Sequence, residues 1–327
     1  MPDYSRLRRL APDPYILAIL CMVLLASLVP VRGEVATDFS LLTKIAIALL
    51  FFLHGAKLSR EAVFGGLTHW RLHLIVLAFT FLLFPLIGLA VGRLPATILP
   101  QNLAAGVLFL CCLPSTVQSS IAFTAVARGN VAAAVCAASL SNLLGIFLTP
   151  PILTLLMGAR GAGFSAHELE AVVVQLLLPF IAGQAARRWI GGWLARHGRV
   201  VGLVDRGSIL LVVYGAFSAA VVEGIWLQIS VTQIILLAAI CGAVLVFVLM
   251  SSVAAARGLG FDKADEITIV FCGSKKSLAS GVPMAGILFP PAAVGMMVLP
   301  LMMFHQIQLM ACAVIAQRYA ARSQTEA

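Results

Sequence analysis

At 327 residues, 61% hydrophobic and 11% charged, with a mean hydropathy of +1.04, the chain lies outside the composition of soluble domains. Its net charge of +9 invites a nucleic-acid surface, but the positive residues cluster in loops between long apolar runs, which excludes one. The composition is that of a polytopic membrane protein embedded in a lipid bilayer.

A helix needs about 20 apolar residues to cross a bilayer. Ten such runs occur, near residues 14–31, 39–56, 72–91, 102–127, 131–157, 169–188, 207–222, 229–255, 264–288 and 292–316. On alternate loops, sixteen Lys and Arg fall on one side and only Arg32, Arg93 and Arg160 on the other. That asymmetry predicts a multi-pass protein of the cell membrane, the inner membrane in a bacterium, with both termini cytoplasmic. The first run follows a basic segment without a small-residue cleavage site and reads as a retained span.

Spans one and two carry little chemistry beyond Lys44, placed to snorkel toward the interface, and His54 at the cytoplasmic end. Residues 59–71 read as an amphipathic connector at the membrane surface, and Pro85 predicts a kink in span three. Span four is apolar as far as Cys112, then meets Pro114 and a polar run of Ser115, Thr116, Gln118, Ser119 and Ser120. Proline removes a backbone donor and crowds the preceding turn, so the helix breaks here, and the following hydroxyls can satisfy the groups set free. In span five, Ser139 and Asn142 share a helix face. An arginine-rich loop, 187–206, separates spans six and seven.

Span nine, ITIVFCGSKKSLASGVPMAGILF, holds Lys275 and Lys276 at its centre. A charged side chain at mid-bilayer costs about 2.5–3.5 kcal/mol. Gly273 and Ser274 before the lysines, and Gly281 and Pro283 after them, mark unwound backbone, which survives at that depth only inside protein or beside water. Every Asp and Glu lies in a loop, a tail or the end of a span, so the deep field is positive. In span ten, His305, Gln306 and Gln308 are polar enough for either substrate contact or a helix–helix hydrogen bond.

The breaks in spans four and nine each follow a cysteine closely and lie about 160 residues apart, near half the chain. Five spans per half is an odd number, so two similar halves insert with opposite topology, as in many secondary transporters. The predicted fold is therefore all-α, with ten transmembrane helices in two inverted five-helix repeats, about 14–157 and 169–316, within one membrane domain, 1–327. Helix ends at the breaks offer carbonyls to cations and N–H groups to anions. The candidate site comprises Lys276, Lys275, Ser274, Ser277, Ser119, Ser120, Thr116, Gln118, Asn142 and His305. It predicts a carrier of a small organic anion in which the lysines bind the anion or take the place of a cation. A membrane protein that regulates a partner without transporting anything is the alternative.

Enzymatic readings fail on the residues. The Gly-Lys-Ser/Thr order of a phosphate-binding loop is absent around Lys275. A hydrolytic dyad of Ser274 and Lys276 has poor geometry and no second element, and clustered ligands for a metal or redox centre are missing. All seven cysteines fall within apolar spans and read as packing residues rather than disulfides. No cofactor is expected, coupling to sodium or to protons stays open, and the residues do not fix an oligomeric state.

The five-plus-five layout and the stretches HLIVLAFTFLLFP, CCLPSTVQSSIAFTAVARGNVAAA and FCGSKKSLASGVPM resemble the bile acid:sodium symporter family, in particular the branch of solute carrier family ten member seven. The resemblance covers nearly the whole chain. It implies a core of spans three to five and eight to ten (72–157 and 229–316), whose broken helices cross, and a moving panel of spans one, two, six and seven (14–56 and 169–222). Sodium symporters of the family bind two sodium ions with polar groups of spans four and five and with a glutamate and a glutamine at the ninth-span break. Against that pattern Phe271 stands in place of the glutamate and Lys275 of the glutamine. Ser119 and Ser120 stand nearest the span-four Ser-Asn pair, and Ala134 and Ala138 take the span-five hydroxyl positions. The departure implies a lost sodium site, with a lysine ammonium in place of one ion. A conventional sodium-coupled bile-acid-type symporter is the alternative within the family.

Overall fold

A computed structural model describes residues 14–57, 69–158, 173–222 and 229–322, together with Gly224 and Leu227. Among the described residues the chain is all-helical, without strands. The helices are α1 (Pro14–Leu28), α2 (Glu34–Lys57), α3 (Trp70–Val91), α4 (Gln101–Cys112), α5 (Gln118–Val126), α6 (Val131–Gly158), α7 (Leu178–Arg196), α8 (Gly198–Val222), α9 (Val231–Gly258), α10 (Lys263–Gly273), α11 (Leu278–Leu288) and α12 (Pro291–Arg322). Six of them, α2, α3, α6, α8, α9 and α12, are long and apolar enough to cross a membrane. Leucines such as Leu24, Leu28, Leu41 and Leu155 stand exposed on the outer faces, as lipid-facing residues do.

Local chemistry explains where these helices start and stop. Ser230 and Gln233 form a reciprocal capping box at the start of α9. Asp262 accepts from the Asp265 amide at the start of α10, and Ser277 from the Ser280 amide at the start of α11. Gly260, at a φ of 73°, supplies the left-handed residue that ends α9.

Span four is two helices, α4 and α5, separated at Leu113–Val117, and span nine is two helices, α10 and α11, separated at Ser274–Ser277. The two links touch, because the Ser277 amide donates to the Pro114 carbonyl at 2.9 Å. Small residues allow this approach. A Cβ on Gly281 would strike the Leu113 and Leu301 side chains, and one on Gly145 of α6 would strike the Pro114 ring.

Three expectations change. Gly281 and Pro283 do not interrupt span nine but lie within α11, where Pro283 withholds a donor from the Ala279 carbonyl alone, a loss that a helix packed among neighbours tolerates. The arginine-rich stretch 187–206 is mostly helix, with α7 running to Arg196 and α8 starting at Gly198. Hydropathy reports where the bilayer ends, not where a helix ends, and arginine is a good helix former. Span two begins at Glu34, five residues before the apolar run, for the same reason. The expected connector at 59–71 lies largely outside the described residues.

Candidate functional site

The site begins with backbone left without partners. In α3 the turns widen to a π-helix over Phe79–Leu83, and the Phe84 amide donates to the Phe79 carbonyl instead of that of Thr80. The next amide in that wider register belongs to Pro85, which has none, so the Thr80 carbonyl is free. At the end of α4, Pro114 again removes a donor, and the Ser115 amide turns away to Ser141 Oγ at 3.1 Å. The Cys111 and Leu113 carbonyls are thereby left without backbone partners.

Lys276 fills the gap. Its Nζ donates to the carbonyls of Thr80 at 2.9 Å, Cys111 at 2.8 Å and Leu113 at 2.7 Å. An ammonium has three donors, and all three are used. The Phe84 ring, 4.1 Å from Nζ, adds an attractive face. Gln308 clamps the Lys276 backbone, with Oε1 accepting from its amide at 2.9 Å and Nε2 donating to its carbonyl at 3.0 Å.

Lys275 turns the other way. Its Nζ donates to one acceptor, the Ser119 carbonyl at 2.9 Å, and lies 3.9 Å from the Phe123 ring and 5.3 Å from Phe271. Phe271 itself is fully buried against Phe123 and Tyr319. Both lysines are 0% exposed, and no carboxylate pairs with either among the described residues. Glu266 is committed elsewhere, to Arg257, Lys263 and Tyr319.

Hydroxyls from both links satisfy the carbonyls at the end of α10. Ser115 Oγ donates to the Cys272 carbonyl at 2.6 Å, Ser120 Oγ to that of Phe271 at 3.0 Å, and Ser274 Oγ to that of Val270 at 2.6 Å. Thr149 Oγ1 supplies the Cys112 carbonyl at 2.9 Å. Each break is thus satisfied largely by the other. Ser115→Ala is expected to cost about 1–3 kcal/mol by leaving the Cys272 carbonyl bare. A chemical-denaturation midpoint equal to that of the unmodified protein would contradict this accounting.

Beside the contact of the two links lies a cavity of about 1850 Å³. Thr116 lines it from the link before α5, Gln118 and Ser119 from the start of α5, Ser277 and Ser280 from the start of α11, Asn142 from α6 and His305 from α12. Ser280 Oγ donates to Asn142 Oδ1 at 2.7 Å, and Thr116 Oγ1 and Ser119 Oγ share a hydrogen bond of 2.6 Å. Of the sequence candidates, Lys275, Lys276, Ser274 and Ser120 are not in the cavity wall; they stand behind it. At the far end the lining includes His54, Arg199, Arg206 and the ion pair of Lys57 with Asp205.

Sequence reasoning missed Thr80, Ser280 and the charged groups at the far end of the cavity. A threonine five residues ahead of a proline in a span was the available signal for the first. These charges read as loop charges because they flank apolar runs, and only the packing of α2 on α8 turns them toward a common space.

The pattern describing the SBF-like CPA transporter family matches residues 13–321. The chain is 58% identical over 315 residues to an uncharacterized protein of Pseudomonas aeruginosa, covering 96% of this chain and 95% of that one. It is 54% identical over 314 residues to the protein named Putative symporter YfeH of Escherichia coli K12, covering 96% and 94%. With Sodium/bile acid cotransporter 7 of Rattus norvegicus the identity is 30% over 284 residues, covering 86% and 82%. Together with the apolar helices, these likenesses make the protein a multi-pass membrane transporter rather than an enzyme, and the chain belongs to the SBF-like CPA transporter family.

Proposed function

We propose that the protein is a secondary active transporter that moves a small organic anion by alternating access. The observation that carries this reading is a large cavity with two helix N-termini at its inner end, those of α5 and α11. First-turn N–H groups have no intrahelical partner, and the helix dipole makes such ends favourable to carboxylate, sulfate or phosphate groups. Lys275 stands one layer behind the same wall and strengthens the positive field there.

Lys276 takes the role of a fixed cation. Its three-carbonyl cage presents the neutral oxygen shell that would suit a monovalent ion, and the ammonium already fills it. Sodium coupling, the property in the rat relative's name, is therefore not expected here. The mutual satisfaction of the two breaks supports two inverted repeats, about 14–157 and 169–316, with broken helices in matching positions. The extensive packing of α2 with α7 and of α8 with α1 and α2 supports a panel of spans one, two, six and seven, and the contact of α8 with α12, as extensive as that with α1, is the face across which it would move against the core. Lys57, Arg199 and Arg206 at the cavity mouth belong to the basic side, so by the positive-inside rule the cavity opens to the cytoplasm.

The test is a thermal-shift screen of purified protein against small carboxylates, sulfates, phosphates, amines and neutral sugars. A ligand of the folded state raises the midpoint by an amount set by RT ln(1 + [L]/Kd). An anion is expected to stabilise the protein saturably, to lose that effect in Asn142→Leu, and to exchange across proteoliposome membranes. Stabilisation by amines or sugars alone would overturn the reading.

A further inference from the structure

We infer that His305 is a proton-operated latch on the ninth-span break: taking up a proton at Nδ1 from the cavity releases Gln308 from the Lys276 backbone. The orientation of the Gln308 amide is not free, because the Lys276 amide requires Oε1 and the Lys276 carbonyl requires Nε2. Gln308 is fully buried, and its Nε2 lies 2.8 Å from His305 Nδ1. An amide nitrogen has two hydrogens, so one goes to the Lys276 carbonyl and the other to Nδ1. His305 Nδ1 is therefore the acceptor, and the ring carries its proton on Nε2.

Protonation at Nδ1 turns that acceptor into a donor and sets N–H against N–H. Gln308 restores a bond to His305 only by turning Oε1 toward it. That rotation sets its NH₂ against the Lys276 amide and its oxygen against the Lys276 carbonyl. The arrangement keeps one hydrogen bond where there were three. Histidine is the side chain whose ordinary charge change falls between about pH 5 and 8, and His305 lines the cavity, so water reaches it.

The charged groups around His305 limit what else responds to pH. The helices packed most closely on α12 are α4, α5, α8, α9 and α11. Of these, α5 and α11 carry no charged side chain, α4 carries only the buried thiols Cys111 and Cys112, and α9 carries Cys241 and the distant Arg257, held by Glu266. From α8, Arg199, Asp205 and Arg206 share the cavity with His305, as do His54 and Lys57 of α2; Lys275 and Lys276 lie behind the break.

The latch deepens the proposed transport reading by naming its coupling proton, but its test needs no substrate, so the two fail separately. The experiment is amide hydrogen exchange of the full chain in nanodiscs, following the peptide that contains Lys276 and Ser277 and correcting for the intrinsic pH dependence of exchange. In the unmodified protein, corrected exchange is expected to be about tenfold faster near pH 5 than near pH 8, the ratio for losing the one hydrogen bond that holds the Lys276 amide. In His305→Asn, whose Oδ1 replaces Nδ1 as an acceptor without titrating, exchange is expected to stay slow at both pH values. In Gln308→Met it is expected to be fast at both. Equal rates at both pH values in the unmodified protein, or a pH response that persists in His305→Asn, would overturn the latch.

Discussion

Replacing Lys276 by methionine is expected to abolish transport and to destabilise the fold by about 3 kcal/mol or more, although it removes a buried charge. Methionine keeps the apolar stem and loses the ammonium. The carbonyls of Thr80, Cys111 and Leu113 are then left in a dry interior with no donor. Each bare carbonyl costs about 1–3 kcal/mol. Relief from desolvating the ammonium offsets part of that, since burial of a charge is itself unfavourable. Lys275→Met is the internal control, because it frees only the Ser119 carbonyl, and the expected loss is about 1–2 kcal/mol. The comparison is read from denaturation midpoints in one detergent, and a larger loss for Lys275 than for Lys276 would contradict the division of roles between them.

The second large effect lies far from the lysines. Gly55 of α2 and Gly183 of α7 face each other's helices, so a Cβ on Gly55 would run into the Phe180 carbonyl and one on Gly183 into the Phe52 carbonyl. A backbone oxygen cannot rotate aside as a leucine methyl can. Helices in lipid associate by close packing of small residues rather than by the hydrophobic effect, so the contact between α2 and α7 depends on both glycines. Gly183→Val is expected to separate these helices, at more than the 1–3 kcal/mol or so of ordinary overpacking. Size-exclusion of purified protein is expected to show aggregate in place of a symmetric peak. A well-folded Gly183→Val protein would show that the two helices do not need this approach.

Some of this architecture is legible in the residues, for physical reasons that differ by element. Pro114 and the adjacent lysines stand out because a lost backbone donor and a charge at mid-bilayer have no cheap solution, so they announce a break and a partner. Which partner is not legible. The acceptors of Lys276 are backbone carbonyls, and every residue has one; only the widened turn ahead of Pro85 and the contact of the two links single out Thr80, Cys111 and Leu113. Ser119 and Ser120 are neighbours, yet Ser119 lines the cavity while Ser120 turns inward to the Phe271 carbonyl. Their adjacency in sequence could not separate those roles, because a rotation of α5 by one position exchanges them. Gln308 shows the same limit: an amide in an apolar span predicts a hydrogen bond, and here the bonds are to both backbone groups of Lys276, whose ammonium holds the end of α4.

The central claim, that the Lys276 ammonium stands where a coupling cation would otherwise be held, is tested most directly by thermal stability in sodium against choline at equal chloride. The measurement is made on the unmodified protein and on Lys276→Ala, which leaves the three carbonyls around an open space. A bound ion stabilises the folded state in proportion to RT ln(1 + [L]/Kd). Identical midpoints in the two salts are expected for the unmodified protein, and a lower midpoint with a saturable rise in sodium for Lys276→Ala. A saturable sodium response in the unmodified protein would contradict that claim.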